Sequence, residues 1–152
     1  MWLTLKERKE FYSYINEVII SEKVQEMRNY IQHGKTSTYT HCLSVAILSY
    51  LICKRFNFKV NKKSLVKAAL LHDFYLYDWH IKDKNRKGLH GFTHPKASLK
   101  NANKYFLLSP IEKDIIEKHM WPLTITDIPK YPESFIVSFA DKICSIKETL
   151  HI

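Results

Sequence analysis

The sequence predicts an all-α fold, in one compact domain of about six to seven helices. The chain has 152 residues, a length typical of one domain, and 45% of them are apolar, which supports a packed core rather than disorder. Proline is absent before Pro95, and Gly34 is the only glycine before residue 88, so long stretches are free to be helical. The sequence shows no strand-like alternation of apolar and polar residues with hairpin turns between the strands.

Residues 1–34 are predicted to form two helices that pack on the rest of the domain. Thr4 and Glu7 have the spacing of a capping box, which begins the first helix. Ser21 is expected to cap the second helix and Gly34 to end it. The apolar positions repeat at helical spacing: Phe11, Ile15, Val18 and Ile19 in the first helix, and Val24, Met27 and Ile31 in the second.

Five further helices are predicted after Gly34, and the motif described below falls within them, over residues 38–150. These helices cover residues 38–55, 61–73, 93–106, 110–119 and 133–150. Thr93 and Pro95 are expected to open the third of them. Ser109 and Glu112 have capping-box spacing at the start of the fourth. The segment from residue 75 to residue 92 is expected to be irregular.

The composition excludes some function classes. The only glycines are Gly34, Gly88 and Gly91, so neither a P-loop nor a glycine-rich dinucleotide turn can be written. A formal net charge of +9 favours an anionic partner such as a nucleotide, a nucleic acid, a phosphorylated metabolite or an anionic lipid. The basic residues form separate islands, so the charge does not choose among these partners.

The three cysteines are predicted to be buried thiols. Cys42, Cys53 and Cys144 have no CxxC spacing and lie in apolar helical segments, which argues against a disulfide framework or a zinc site. The N-terminus becomes charged at once, and the longest apolar run, residues 45–53, is shorter than the ~20 residues of a membrane span. We therefore expect a cytoplasmic protein with no membrane partner.

Several histidines and aspartates lie on helix faces that should be buried. His41, His72 and His119 share their faces with aliphatic residues, and Asp73 and Asp141 lie in apolar segments. Ionised carboxylates in such surroundings are costly unless they are paired or bind a metal. A divalent metal would satisfy all five groups together. Nitrogen and oxygen donors suit Fe, Mn, Co, Ni, Mg or a catalytic Zn.

These residues resemble the pattern of the HD-domain phosphohydrolase superfamily. His41, the adjacent pair His72 and Asp73, and Asp141 in a late apolar helix occur in the order that defines the superfamily. The resemblance implies that these four residues hold one metal. Many members carry two further histidines that hold a second metal, with the aspartate of the pair bridging both. His94 and His119 stand at the corresponding positions, so the chain resembles the two-metal branch with six ligands.

The resemblance implies a metal-dependent phosphohydrolase that cleaves a phosphoester through a metal-bridging hydroxide. The expected substrate is a small phosphorylated compound, with nucleotides first among the candidates. Two departures limit what carries over: Leu76 stands where several branches have a lysine, and the Gly-Tyr-Pro signature of the cyclic-dinucleotide branch is missing. Substrates of those branches are therefore not transferred.

The irregular segment between Asp73 and His94 should pass close to the site, because residues at both of its ends are implied metal ligands. Cationic side chains there could hold phosphate, and histidines or a carboxylate could transfer protons. The predicted catalytic residues are Asp73, Asp78, His80, Arg86, Lys87 and His90.

Two alternative functions stay open. Some proteins with the same ligand set are di-iron oxygenases, and ligands alone do not separate the two reactions. A basic nucleic-acid-binding helical module is the second alternative, but the sequence has no recognition helix with clustered arginines, which makes nucleic acid an unfavoured partner. A homodimer is compatible with the sequence.

Overall fold

The computed structural model describes residues 3–152, and within them the all-α prediction is confirmed. The helices are α1 (Leu5–Ile19), α2 (Glu22–Glu26), α3 (Thr38–Arg55), α4 (Lys62–Leu71), α5 (His90–Tyr105), α6 (Pro110–Lys118) and α7 (Pro132–Leu150). A short 3₁₀ turn, Met27–Asn29, follows α2. No helix in the described part of the chain has the length and apolar character needed to cross a membrane.

Side-chain caps begin four of the seven described helices, and two of these caps, at α1 and α6, are ones that the sequence predicts. Both bonds of the capping box form at Thr4 and Glu7 in α1 and at Ser109 and Glu112 in α6. Ser37 caps α3 by accepting from the Thr40 amide at 3.2 Å. The Ser21 side chain makes no such bond at the start of α2.

The prediction that the second helix continues through Ile31 is wrong, as is the expectation of no hairpin. After the 3₁₀ turn the chain becomes two antiparallel strands, β1 (Ile31–His33) and β2 (Thr36–Ser37). Gly34 turns between them with φ +56°, a conformation that a side chain disfavours. A Cβ at Gly34 would also lie 2.7 Å from the His151 ring, so the turn packs closely on the end of α7.

Helix α5 begins at His90, three residues before the predicted start at Thr93. The His94 ring explains the early start, because its Nδ1 bonds the His90 carbonyl oxygen at 2.8 Å and holds the first turn. Pro95 therefore lies inside the helix rather than opening it.

Helix α3 is the centre of the domain, with α4 and α7 packed against it. It is buried around most of its circumference, through Tyr39, Cys42, Val45, Ala46, Tyr50 and Cys53. Phe11 and Ile15 of α1 join the same core, and α6 packs between α4, α5 and α7. Cys42, Cys53 and Cys144 are free and buried, as predicted. The helix ends around α3 converge on one cluster of histidines and carboxylates.

Candidate metal centre

Two of the candidate histidines lie where their helices end. His72 is the C-cap residue of α4, and His119 is the C-cap residue of α6. Each ring turns back on its own helix: Nδ1 of His72 bonds the Ala69 carbonyl oxygen at 2.7 Å, and Nδ1 of His119 bonds the Ile116 carbonyl oxygen at 2.8 Å. A carbonyl only accepts, so Nδ1 carries the proton and Nε2 of each ring presents a lone pair to the interior.

His94 and His41 are oriented in the same way. Nδ1 of His94 donates to the His90 carbonyl oxygen, and Nδ1 of His41 lies 2.8 Å from Oε2 of Glu148. Such a partner for the outer nitrogen fixes the ring orientation in metal-binding histidines and raises their basicity. The arrangement therefore prepares four Nε2 atoms to act as ligands.

Asp73 lies between two pairs of these histidines. Its Oδ1 is 3.0 Å from Nε2 of His94 and 3.3 Å from Nε2 of His119. Its Oδ2 is 3.4 Å from Nε2 of His72 and 3.7 Å from Nε2 of His41. One carboxylate thus offers one oxygen to each pair, as a bridging ligand would.

Asp141 completes the pair formed by His41 and His72. Its Oδ1 is 3.1 Å from Nε2 of His41 and 3.6 Å from Nε2 of His72. Ser145, one turn later on α7, donates a hydrogen bond to the same oxygen at 3.2 Å. We call His41, His72 and Asp141 the first half-site, and Asp73, His94 and His119 the second half-site; in each, the candidate ligand atoms lie within 4.8 Å of one another.

Unpaired polar atoms indicate that a cation fits here. Nε2 of His72 and Oδ1 of Asp73 are buried and make no hydrogen bond among the described residues. Nε2 of His94 and Nε2 of His119 face each other at 2.8 Å although the outer nitrogen of each ring is already a donor. Buried lone pairs that converge in this way are stable only around a proton or a metal ion.

The electrostatics of the first half-site also favour a cation there. Burial lowers the pKa of His41, but hydrogen bonds to the Asp141 and Glu148 carboxylates overcome this and raise it to about 10. Against the effect of burial, the Asp73 carboxylate raises the pKa of His72 well above its usual range. The carboxylates around these two rings thus favour positive charge at this position.

The second half-site keeps a neutral imidazole. Burial lowers the pKa of His119 to about 4 in spite of the neighbouring Asp73 carboxylate. Burial also raises the pKa of Asp73 and of Asp141, yet the surrounding imidazoles, His72 foremost for Asp73 and His41 foremost for Asp141, hold both well below the usual aspartate range. Neutral imidazoles and ionised carboxylates are the forms that bind divalent metals.

A cavity of about 490 Å³, the cluster cleft, opens onto the cluster and is lined by Asp73, Asp141, His94, His119, Gln32 and Lys142, among others. Nζ of Lys142 lies 3.3 Å from Oδ2 of Asp141 and donates to the His119 carbonyl oxygen. An anion that entered the cleft would therefore meet a fixed positive charge beside the carboxylates.

The predicted catalytic residues between Asp78 and His90 do not lie together in the structure. Asp78 and His80 pair with each other, with His80 Nδ1 3.1 Å from Asp78 Oδ1, and Lys87 is exposed. Within the described chain none of these three lines the cluster cleft. Arg86 lines a neighbouring cavity of about 520 Å³, which we call the loop cavity. His90 lines both cavities.

Some residues that support the cluster were not among the sequence predictions. Gln32 of β1 donates to Oδ2 of Asp73 at 2.6 Å, and the hydroxyl of Tyr75 donates to the amide oxygen of Gln32. Glu148 could have been predicted from the sequence, since it lies on the same face of α7 as Asp141, two turns later. Gln32 could not have been predicted from a local pattern, because it is separated by 41 positions from the carboxylate that it contacts.

The Cys42 thiol borders the cluster. It lies close enough to His72 and Asp73 for the three to form a further group that could hold a metal. A sulfur donor therefore stands at the edge of an otherwise nitrogen and oxygen set.

Comparison with known families identified a match. A family model described as HD domain matches residues 38–146, which includes every member of both half-sites. No curated protein and no solved structure matched the chain. The matched span begins at the first residue of α3 and ends within α7.

Proposed function

This chain belongs to the HD domain family, whose members are in general metal-dependent hydrolases, and on that premise we propose that it is a phosphohydrolase acting on a small phosphorylated compound, with nucleotides as the first class to test. The observation that carries the proposal is the position of Asp73. Its two oxygens are divided between the histidines of the first and the second half-site.

The donor set fits two divalent metals that share Asp73. His41, His72 and Asp141 would hold one, and His94 and His119 would hold the other. When bound, such metals would supply an acidic water as the nucleophile and positive charge that stabilises phosphoryl oxygens. Iron, manganese, cobalt, nickel, magnesium and zinc all suit imidazole and carboxylate ligands to different degrees.

The chain's own residues orient the ligands and receive the substrate. Glu148 fixes the His41 ring, and Gln32 holds one oxygen of Asp73, so the bridging carboxylate cannot rotate freely. Lys142 places a cation at the wall of the cluster cleft, where it would attract and orient a phosphoryl group. His90 lines the same cleft, and because burial lowers its pKa to about 3, its neutral ring is a candidate to accept a proton from the attacking water.

Metal analysis of the purified protein tests the proposal. We expect about two divalent ions per chain in the wild type and almost none in Asp73→Ala, because the bridging ligand serves both half-sites. Asp127→Ala removes an aspartate from the loop between α6 and α7, outside the cluster, and should keep the metal. Loading with each of the six metals and assaying phosphate release from a panel of nucleotides and sugar phosphates then identifies the substrate class.

Two results would reject the proposal. One is a protein that binds no divalent metal under any loading condition. The other is a di-iron protein that consumes oxygen and releases no phosphate, which would favour the oxygenase reaction instead.

A further inference from the structure

The loop cavity lies beside the cluster cleft and is similar in size, at about 520 Å³ against about 490 Å³. It is formed by the segment between α4 and α5, and it has no role in the function proposed above. Trp79, Leu89 and His90 line both cavities, so the two adjoin along these three side chains.

A short series of stacked rings connects these shared side chains to the second half-site. The His94 ring stacks on His90 with 4.6 Å between centroids, and His90 stacks on Trp79 with 5.0 Å between centroids. The loop cavity is therefore two ring contacts away from a candidate metal ligand, and a substrate held at the cluster would reach it by extending past these side chains.

The loop cavity is rich in cations. Lys82, Lys84 and Arg86 line it, against the single acid Asp83. The ion pair of this loop joins His80 to Asp78, and Asp83 instead accepts from the Asn85 amide at 2.8 Å. Within the described residues neither lysine has a carboxylate partner, so their charge is free to meet an anion.

The aromatic rings of the loop cavity are already covered. Trp79 is stacked by His80 at 3.9 Å and by His90 at 5.0 Å. The guanidinium of Arg86 lies over the Tyr77 ring at 4.5 Å from its centroid. A nucleobase would have to displace these partners to stack there, whereas an anion would find the lysines ready.

We propose that the loop cavity is a subsite for a second phosphate group of the substrate, while the scissile phosphoryl group lies at the cluster. The inference rests on the proposed function and names the substrate class more closely, as a compound with two phosphate groups on separate positions. Lys82 and Lys84 are the specificity-determining residues, because they add charge where a monophosphate has nothing to contact.

A matched pair of substrates tests the subsite: adenosine 5′-monophosphate and adenosine 3′,5′-bisphosphate, which differ by one phosphate. For the metal-loaded wild type we expect kcat/KM to be roughly tenfold or more higher for the bisphosphate. The variant Lys82→Gln/Lys84→Gln should lose this preference through a higher KM for the bisphosphate, with the monophosphate unchanged. Lys96→Gln/Lys100→Gln removes the same charge from exposed positions of α5 and should keep the preference.

Equal kcat/KM for the two compounds in the wild type, or an equal loss of preference in both double variants, would overturn the subsite. If neither compound is hydrolysed, equilibrium dialysis measures the binding of each compound and so tests the subsite without the reaction. Tighter binding of the bisphosphate that depends on Lys82 and Lys84 would then support the subsite while the hydrolase proposal fails. Equal binding of the two compounds would reject the subsite.

Discussion

His94 and His119, from α5 and α6, point their Nε2 atoms at each other across 2.8 Å while both Nδ1 atoms are held by backbone carbonyl oxygens. The backbone partners prevent either ring from turning its donor inward. Two lone pairs are thus kept in contact beside Oδ1 of Asp73, which lies 3.0 Å from the first ring and 3.3 Å from the second. Such a contact is stabilised only when a cation lies between the three atoms.

Replacing His119 should remove one metal and leave the other. In His119→Ala the second half-site keeps only His94 and Asp73, whereas the first half-site keeps all of its members. We expect the metal content to fall from about two ions per chain to about one. Plasma mass spectrometry of the purified variant measures this, with His80→Ala as the matched control because His80 is exposed. Loss of both metals would show that the half-sites do not bind separately.

Glu148→Gln should weaken the first half-site through His41. The amide is an uncharged acceptor, so it would hold the His41 ring less firmly and make Nε2 less basic than the carboxylate does at 2.8 Å. We expect metal affinity at this half-site to fall roughly tenfold or more. Competition with a chromophoric chelator measures the affinity. Glu117→Gln, on a partly exposed position of α6, provides the control, and equal affinities in the two variants would contradict the role of Glu148.

Metal binding should stabilise the fold, because the half-sites join α3, α4, α5, α6 and α7. A metal present at a hundredfold excess over its Kd adds about 2.7 kcal/mol for each site that exists only in the folded state. For a domain of this size we expect the melting temperature to rise by roughly 5 to 10 °C for one occupied site and roughly 10 to 20 °C for two. Calorimetry with and without a chelator measures the rise, and Asp73→Ala should show little of it. An equal rise in that variant would place the metal elsewhere.

Asp114 should stabilise the fold independently of metal binding. Its carboxylate accepts from the Ser134 hydroxyl at 2.7 Å and the Lys130 amide at 2.9 Å, and it pairs with Lys118 at 2.8 Å. Asp114→Asn keeps the size but loses the charge, and we expect the free energy of unfolding to fall by about 1–3 kcal/mol in urea titrations of metal-free protein at pH 7.

The pH dependence of that difference has a defined sign. Burial raises the pKa of Asp114, but the bonds from Lys118 and Ser134 outweigh it, so the folded value lies below the usual 3.8. The carboxylate therefore contributes its full stabilisation above about pH 4 and loses it as the pH falls through the folded pKa. The gap between wild type and Asp114→Asn should narrow on acidification; a gap that widened would contradict this assignment.

Local signals in the sequence predicted most of the fold. The capping pair at Ser109 and Glu112 located α6, and unbroken helical stretches located α3 and α7. The short strand Ile31–His33 could not be predicted, because three residues are too few to show alternation. At α5 the proline was misleading, since the start of the helix depends on the contact between the His94 ring and the His90 carbonyl.

Five of the six candidate ligands were predictable because each is a polar residue in an apolar segment, whereas His94 was predicted only through the resemblance to the family. The family match is confirmed over residues 38–146, and the structure brings the six candidates together. Their supports were harder to predict, because Gln32 and Tyr75 act through contacts between distant segments. The residues of the segment between Asp73 and His94 that face the cluster could not be predicted, because they depend on backbone turns that the residue types alone do not specify.

The β-hairpin that carries Gln32 lies before residue 38, outside the span that identifies the family. A protein trimmed to that span would lose the amide that holds Asp73, and Tyr75 would lose the group to which it donates. The Asp73 carboxylate would then be free to rotate, although every ligand residue of the family motif was still present. The segment that holds the candidate metal cluster in place is therefore larger than the segment by which the family is recognised.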